Sequence, residues 1–154
     1  MEHTTNKARI LVVEDNLANQ TLLRYHLHAT FDLELVGRFD EALDAATHRR
    51  FDLFLLDIDL GEQRTGVELL HELRKIPAYT ATPAVTCTAN TRPGDRERFL
   101  ASGFDDYIGK PFTEEELLGT LHTLLASGGS SRLAESDCQD VSVEAPLEGQ
   151  RLAA

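Results

Sequence analysis

Tryptophan is absent from the 154 residues, methionine occurs once and cysteine twice. Two cysteines, Cys87 inside an apolar run and Cys138 in a polar stretch, are too few for a disulfide framework or a cysteine-rich metal site, so both are expected as free thiols. Positive charge is scarce as well: 15 Lys and Arg face 26 Asp and Glu, a formal net charge of −11. So negative a chain lacks the attraction to phosphate backbones on which nucleic-acid binders rely, and DNA or RNA is excluded as an expected partner. No apolar run nears the roughly 20 residues that a bilayer-spanning helix needs. Met1 to Arg9 offers no apolar stretch for a signal peptide either. A cytoplasmic domain without membrane association is the expectation.

What the chain does contain is a single domain's worth of apolar sequence, followed by a compositional break near Ser127. From there to Ala154 the residues are Ser, Gly and acids with little apolar periodicity, two arginines against five acids. This segment reads as a disordered tail. Residues 1–7 read as an N-terminal extension and 8–126 as the globular domain.

Within 8–126 a short run rich in Val, Ile or Leu is followed about five times by a longer stretch with apolar residues three and four apart. Alternation of this kind is the signature of strand–helix units around a parallel sheet. The strands are expected at Arg9–Val13, Leu33–Val36, Leu53–Leu56, Ala84–Thr86 and Tyr107–Ile108. The helices are expected at about Leu17–Ala29, Asp40–Arg49, Val67–Lys75, Gly94–Ser102 and Glu114–Ala126. The middle runs are apolar on consecutive positions, as strands covered on both faces must be. Thr113 with Glu116 forms a capping box for the last helix, and Gly103 stands where the fourth should end.

Ligand sites of open parallel sheets lie beyond the carboxyl ends of the strands, and the acids of this chain fall there. VVEDN places Glu14 and Asp15 after the first strand, and FLLDIDL places Asp57 at the end of the third. Carboxylates so close repel, and protonation or a divalent cation relieves them. Oxygen ligands with no His or Cys nearby point to Mg2+. VTCTAN ends the fourth run with Thr88 and the small Ala89; DYIGKPF ends the fifth with Lys110 and Pro111. Lys110 is one of three lysines, a point charge able to pair with a carboxylate and later with a phosphoryl oxygen. Its bond to Pro111 is one of the few that can be cis at little cost. The histidines at 3, 26, 28, 48, 71 and 122 show no metal-ligand spacing.

Together, VVEDN, FLLDIDLG, VTCTAN and DYIGKPF resemble the receiver domain of two-component response regulators, over about residues 8–126. The resemblance implies an α/β, doubly wound (βα)5 domain of flavodoxin type, its five parallel strands in the order 2-1-3-4-5. It implies a stand-alone, chemotaxis-regulator-like phosphorelay protein, not a turnover enzyme. Asp57 would accept phosphate from a histidine kinase or histidine phosphotransfer protein, then lose it by autodephosphorylation. Glu14, Asp15, Asp57 and the backbone carbonyl of Asp59 would hold Mg2+, with Asp15 the direct ligand of the acid pair. Lys110 and Thr88 would contact the phosphoryl group, and Tyr107 would turn inward when Thr88 moves. Asp59, Ala89 and Asn90 would tune the lifetime of the phosphoryl group, Asp59 by repelling the charged transition state. Output would pass to a downstream protein through the face of the fourth helix, fifth strand and fifth helix, where Arg92, Arg96, Arg98 and Phe99 fall. The protein would act as a monomer or a phosphorylation-dependent dimer.

One stretch departs from that pattern. Many receivers carry Met-Pro shortly after the phosphoacceptor and a Gly about eight after it, whereas DIDLGEQRTG lacks Pro and places Gly66 nine after Asp57. DIDLG also resembles the nucleophile motif of haloacid-dehalogenase-like phosphatases, which would make Asp57 and Asp59 nucleophile and general acid. Against this, the motif stands on the third strand and Gly61 replaces the Thr or Val of that family. A receiver-shaped interaction module that is never phosphorylated is a third reading.

Overall fold

The computed structural model describes residues 7–89 and 91–136. Asn90, Cys138, most of the expected N-terminal extension and the C-terminal stretch from 137 lie outside the described residues. Five strands alternate with five helices: β1 (Arg9–Val13), α1 (Leu17–Leu27), β2 (Asp32–Val36), α2 (Phe39–His48), β3 (Leu53–Leu56), α3 (Gly66–Arg74), β4 (Ala84–Thr88), α4 (Asp95–Ala101), β5 (Asp106–Gly109) and α5 (Glu114–Ser136). All pairings are parallel and the strand order is β2-β1-β3-β4-β5. The order doubles back after β1, which puts the crevice between the ends of β1, β3 and β4.

Alternation along the strands divides the core in two. Leu11, Val13, Phe54 and Leu56 point to the side of α2, α3 and α4, where they meet Phe39, Ala42, Leu69, Leu70, Leu73 and Phe99. Their neighbours Ile10, Val12, Leu53, Leu55, Val85 and Cys87 point to α1 and α5 and meet Leu23, Leu27, Leu117, Leu121 and Leu124. Both faces of β1, β3 and β4 are therefore closed, and this explains the consecutive apolar runs. Edge strand β2 is only half buried.

Local signals end most elements where expected. The Thr113 hydroxyl accepts the Glu116 N–H at 3.0 Å and Glu116 accepts the Thr113 N–H at 3.1 Å. At Gly103 the N–H returns to the Leu100 carbonyl, and that of Phe104 returns to Phe99, closing α4. A second capping box, Thr65 with Glu68, starts α3.

Most of the remaining boundaries, those of β2, α2, α3 and α4 among them, differ from expectation by one residue, and a few by more. β4 runs two residues further, so Thr88 is its last residue, and β5 gains a residue at each end. Helix α1 ends at Leu27. A 3-10 turn, Pro77–Tyr79, precedes β4. The largest difference is α5, which continues ten residues beyond Ala126, into a segment expected to be disordered, and ends at Ser136. Apolar periodicity reports burial, whereas a helix already nucleated gains one hydrogen bond with each further residue and extends without an apolar face.

Candidate functional site

A cleft of about 170 Å³ opens at the carboxyl ends of the strands, lined by Glu14, Asp15, Asn16, Asn19, Asp57, Asp59, Thr88, Ala89 and Lys110. Each central strand delivers its residue by running out at this edge. Asp57 follows Leu56, and its N–H is bound by the Val13 carbonyl at 2.9 Å. Lys110 follows β5, its N–H on the Thr88 carbonyl at 2.9 Å, and the Lys110–Pro111 peptide is cis. Glu14, Asp57 and Thr88 are all buried, and Asp15 is exposed.

The Lys110 ammonium lies between two carboxylates, 2.8 Å from Glu14 Oε1 and 3.2 Å from Asp57 Oδ2. Glu14 is held from its other side by the first turn of α1. Its Oε2 accepts from the Asn16 N–H and the Asn19 side chain, both at 3.3 Å, and its carbonyl accepts the Gln20 amide at 2.6 Å. Carboxylate oxygens of Glu14, Asp15 and Asp57 all lie within 4.8 Å of one another. Burial and the facing Glu14 charge push the Asp57 carboxyl from 3.8 up to about 6, against the pull of Lys110. Burial pulls Lys110 down, but the hydrogen bond to Glu14 and the two negative charges outweigh it, so the ammonium stands above its ordinary value. Three acids with no nitrogen or sulfur donor make a set that suits a hard dication.

The β3–α3 loop, residues 57–65, starts at this carboxylate and ends against it. The Gly66 N–H donates to the Ile58 carbonyl at 2.9 Å, and a Cβ at Gly66 would lie 2.1 Å from the Asp57 carbonyl oxygen. Only glycine fits, whatever the loop's length. Asp59 is exposed; its N–H reaches Asp57 Oδ1 at 3.4 Å, and its own Oδ1 accepts the Gly61 N–H at 3.1 Å. That contact forms a turn at the start of the loop.

Tyr107 is half buried and stacks on Phe99, ring centroids 6.0 Å apart. Phe99, expected on the output face, is instead 3 % exposed and belongs to the core, because α4 turns it toward the sheet. The arginines of that face are engaged: Arg98 and Arg92 pair with Asp95 at 2.7 and 3.8 Å, and Arg96 with Asp106 at 3.1 Å. Sequence reasoning missed Asn19 and Gln20, whose role depends on α1 returning its first turn to the end of β1.

The fold and this cleft define an open, doubly wound α/β domain with an acidic site at the carboxyl ends of its strands, and comparison with known proteins makes the class specific. Residues 10–122 match the response regulator receiver domain, and the chain belongs to that family. Receiver domains are signalling modules of two-component systems rather than turnover enzymes. The phosphate regulon transcriptional regulatory protein PhoB of Rhizobium meliloti is 39 % identical over 118 residues, 76 % of this chain and 52 % of PhoB. The chain thus spans about half of that relative. Chemotaxis protein CheY4 of Vibrio cholerae superposes with a TM-score of 0.71 at 29 % identity, covering 77 % of this chain and 98 % of CheY4. The receiver domain of sensor histidine kinase PA1611 from Pseudomonas aeruginosa, solved with magnesium coordinated in its active-site cleft, gives 0.71 at 33 % identity, covering 78 % and 98 %. No described helix is long and apolar enough to cross a membrane.

Proposed function

We propose that Asp57 accepts a phosphoryl group from a protein phosphohistidine in a Mg2+-dependent step, and that the phosphorylated domain then signals through protein contacts. The observation that carries this reading is a buried carboxylate at the end of the central strand, faced by one ammonium and two further carboxylates in an open cleft. An Asp57 oxygen attacks phosphorus as the P–N bond breaks; the imidazole nitrogen leaves with the bonding pair and an acyl phosphate forms. Lys110 is already 3.2 Å from Asp57 and can transfer its hydrogen bond to a phosphoryl oxygen. Thr88, at the adjacent strand end, offers its hydroxyl to another, and its movement biases Tyr107 between two positions. Asp15, Asp57 and the Asp59 carbonyl would hold Mg2+, with Glu14 beside them. When bound, the cation would offset charge on the carboxylates and the phosphoryl oxygens.

The donor's approach is supported by the surface next to the cleft. Helix α1 exposes Leu17, Leu22 and Tyr25, with Leu17 at 75 % and Tyr25 at 72 %. A neighbouring hollow of about 300 Å³, lined by Asn19, Leu22, Lys110, Pro111 and Phe112, shares Asn19 and Lys110 with the cleft. A protein presenting a phosphohistidine over Asp57 covers this apolar flank.

The test is incubation with acetyl phosphate and Mg2+, read by intact mass: one phosphoryl group on the wild type and none on Asp57→Asn. Unchanged labelling of the variant would refute the assignment. Asp15→Ala should weaken Mg2+ binding more than Glu14→Ala, since both Glu14 oxygens are already engaged. Thr88→Ala should accept phosphate yet lose the conformational response.

A further inference from the structure

Helix α2 begins without a cap of its own. Arg38 precedes it in extended conformation and contributes no side-chain hydrogen bond. Its first N–H, that of Phe39, is instead taken by Glu62 Oε2 at 2.9 Å, from the middle of the β3–α3 loop. The Glu62 side chain is only 15 % exposed, and its other oxygen lies 3.9 Å from both Arg38 and Arg64. Arg64 adds two further ties to α2. Its guanidinium sits 3.9 Å above the Phe39 ring and reaches Asp40 at 3.1 Å.

These contacts hold the part of the loop that faces the acids. Gly61, next to Glu62, has φ +70 and packs so closely on Asp15 that a Cβ would lie 2.8 Å from its Oδ2. Asp59, whose carbonyl points to the metal in the reading above, is tied to Gly61 through its own side chain. A loop of nine residues without proline has no covalent stiffness, so its path is fixed at the buried Ile58 and Leu60 and at the Glu62 tether.

We propose that Glu62, braced by Arg64, is a positioning residue for the metal site: by docking the β3–α3 loop on the start of α2, it sets the distance between Asp15 and the Asp59 carbonyl. This inference rests on the reading of Asp15, Asp57 and Asp59 as the Mg2+ site. A helix cap and a site brace make different demands, and they separate as follows. Glu62→Ala removes both. Adding Arg38→Ser restores a local cap for α2 but not the loop's tether. Glu62→Gln keeps an acceptor for Phe39.

Mg2+ affinity is measured by calorimetric titration and folding by thermal melting, each on the full chain. Glu62→Ala should weaken Mg2+ binding about tenfold, the effect seen when groups that orient metal ligands are lost. The double variant should regain melting temperature but not affinity, and Glu62→Gln should stay within about twofold of wild type, an order-of-magnitude expectation. Recovery of affinity together with stability in the double variant would reduce Glu62 to a cap and overturn the proposal. Equal affinities in all variants, with Asp57 still labelled, would overturn it while leaving the phosphoacceptor reading intact; a wild type that binds no Mg2+ overturns both.

Discussion

The two ends of the sheet carry comparable polar side chains in opposite states. At the amino ends, Arg74 donates to the carbonyls of Tyr79, Thr82 and Gly103 and lies 3.6 Å from Asp105. The Tyr79 hydroxyl sits between the Ala46 and Arg49 carbonyls at 2.9 and 2.7 Å, and Asp105 takes the Ala84 N–H. Side chains there satisfy backbone groups left open at the end of α2, in the loops and at the start of β4. At the carboxyl ends, Glu14 and Asp57 share the Lys110 ammonium as well as their local contacts to the turns that follow them, and Asp57 is pushed up to about 6. Polar groups bound to backbone stabilise the fold; two carboxylates that repel each other and share a single ammonium remain free to exchange partners. One end is built to hold still, and the other is where the proposed phosphoryl transfer would take place.

Four measurements sharpen or break this contrast. The largest effect concerns Asp57. Its folded value lies above the ordinary 3.8, so its contribution to stability is full in acid and is lost as pH rises through about 6. With divalent cations chelated, denaturant titrations should show about 3 kcal/mol of such loss between pH 3 and 7.5. Asp57→Asn should flatten that slope and be the more stable protein at pH 7.5; a less stable variant would contradict a strained reactive end. Arg74→Leu should cost about 2–3 kcal/mol by leaving buried carbonyls without a donor. Its Asp57 labelling below the melting transition should equal wild type, and altered labelling would break the division between ends. Tyr79→Phe should cost about 1–2 kcal/mol by the same measurement. Smallest is Thr86→Val, midway along β4, where the buried hydroxyl has no partner among the described residues. Replacing it by a methyl group of the same shape should raise stability by about 1 kcal/mol, read from the denaturation midpoint.

The reactive end was the more legible of the two in sequence. A residue that must lie at a strand's carboxyl end follows an apolar run directly, so Glu14, Asp57, Thr88 and Lys110 could be placed by counting along the chain. Thr113 with Glu116 was readable for a similar reason, since cap and partner are three residues apart. The structural end resisted. Arg74 acts on carbonyls up to 29 residues away, and Tyr79 reaches Ala46 across 33. Neither leaves a local pattern. Glu62 is the same case at the site itself: its partner Phe39 lies 23 residues back, and nothing in GEQRTG marks it as a cap. Phe99 was placed on or near the output face, and its burial went unread, because a short helix among arginines does not reveal which side meets the sheet.

Cys87 turns the two-sided packing of β4 into a clock. It lies 2 % exposed on the α5 side of the strand whose next residue is Thr88, and burial pushes its thiol up to about 12. A thiol so protonated and enclosed reacts with an alkylating reagent only while the strand is transiently open, so its labelling rate counts openings rather than chemistry. With Cys138 replaced by serine, one side chain then reports how often β4 detaches from α5. Comparing that rate before and after treatment with acetyl phosphate and Mg2+ would show whether the proposed phosphorylation of Asp57 tightens the strand that carries Thr88.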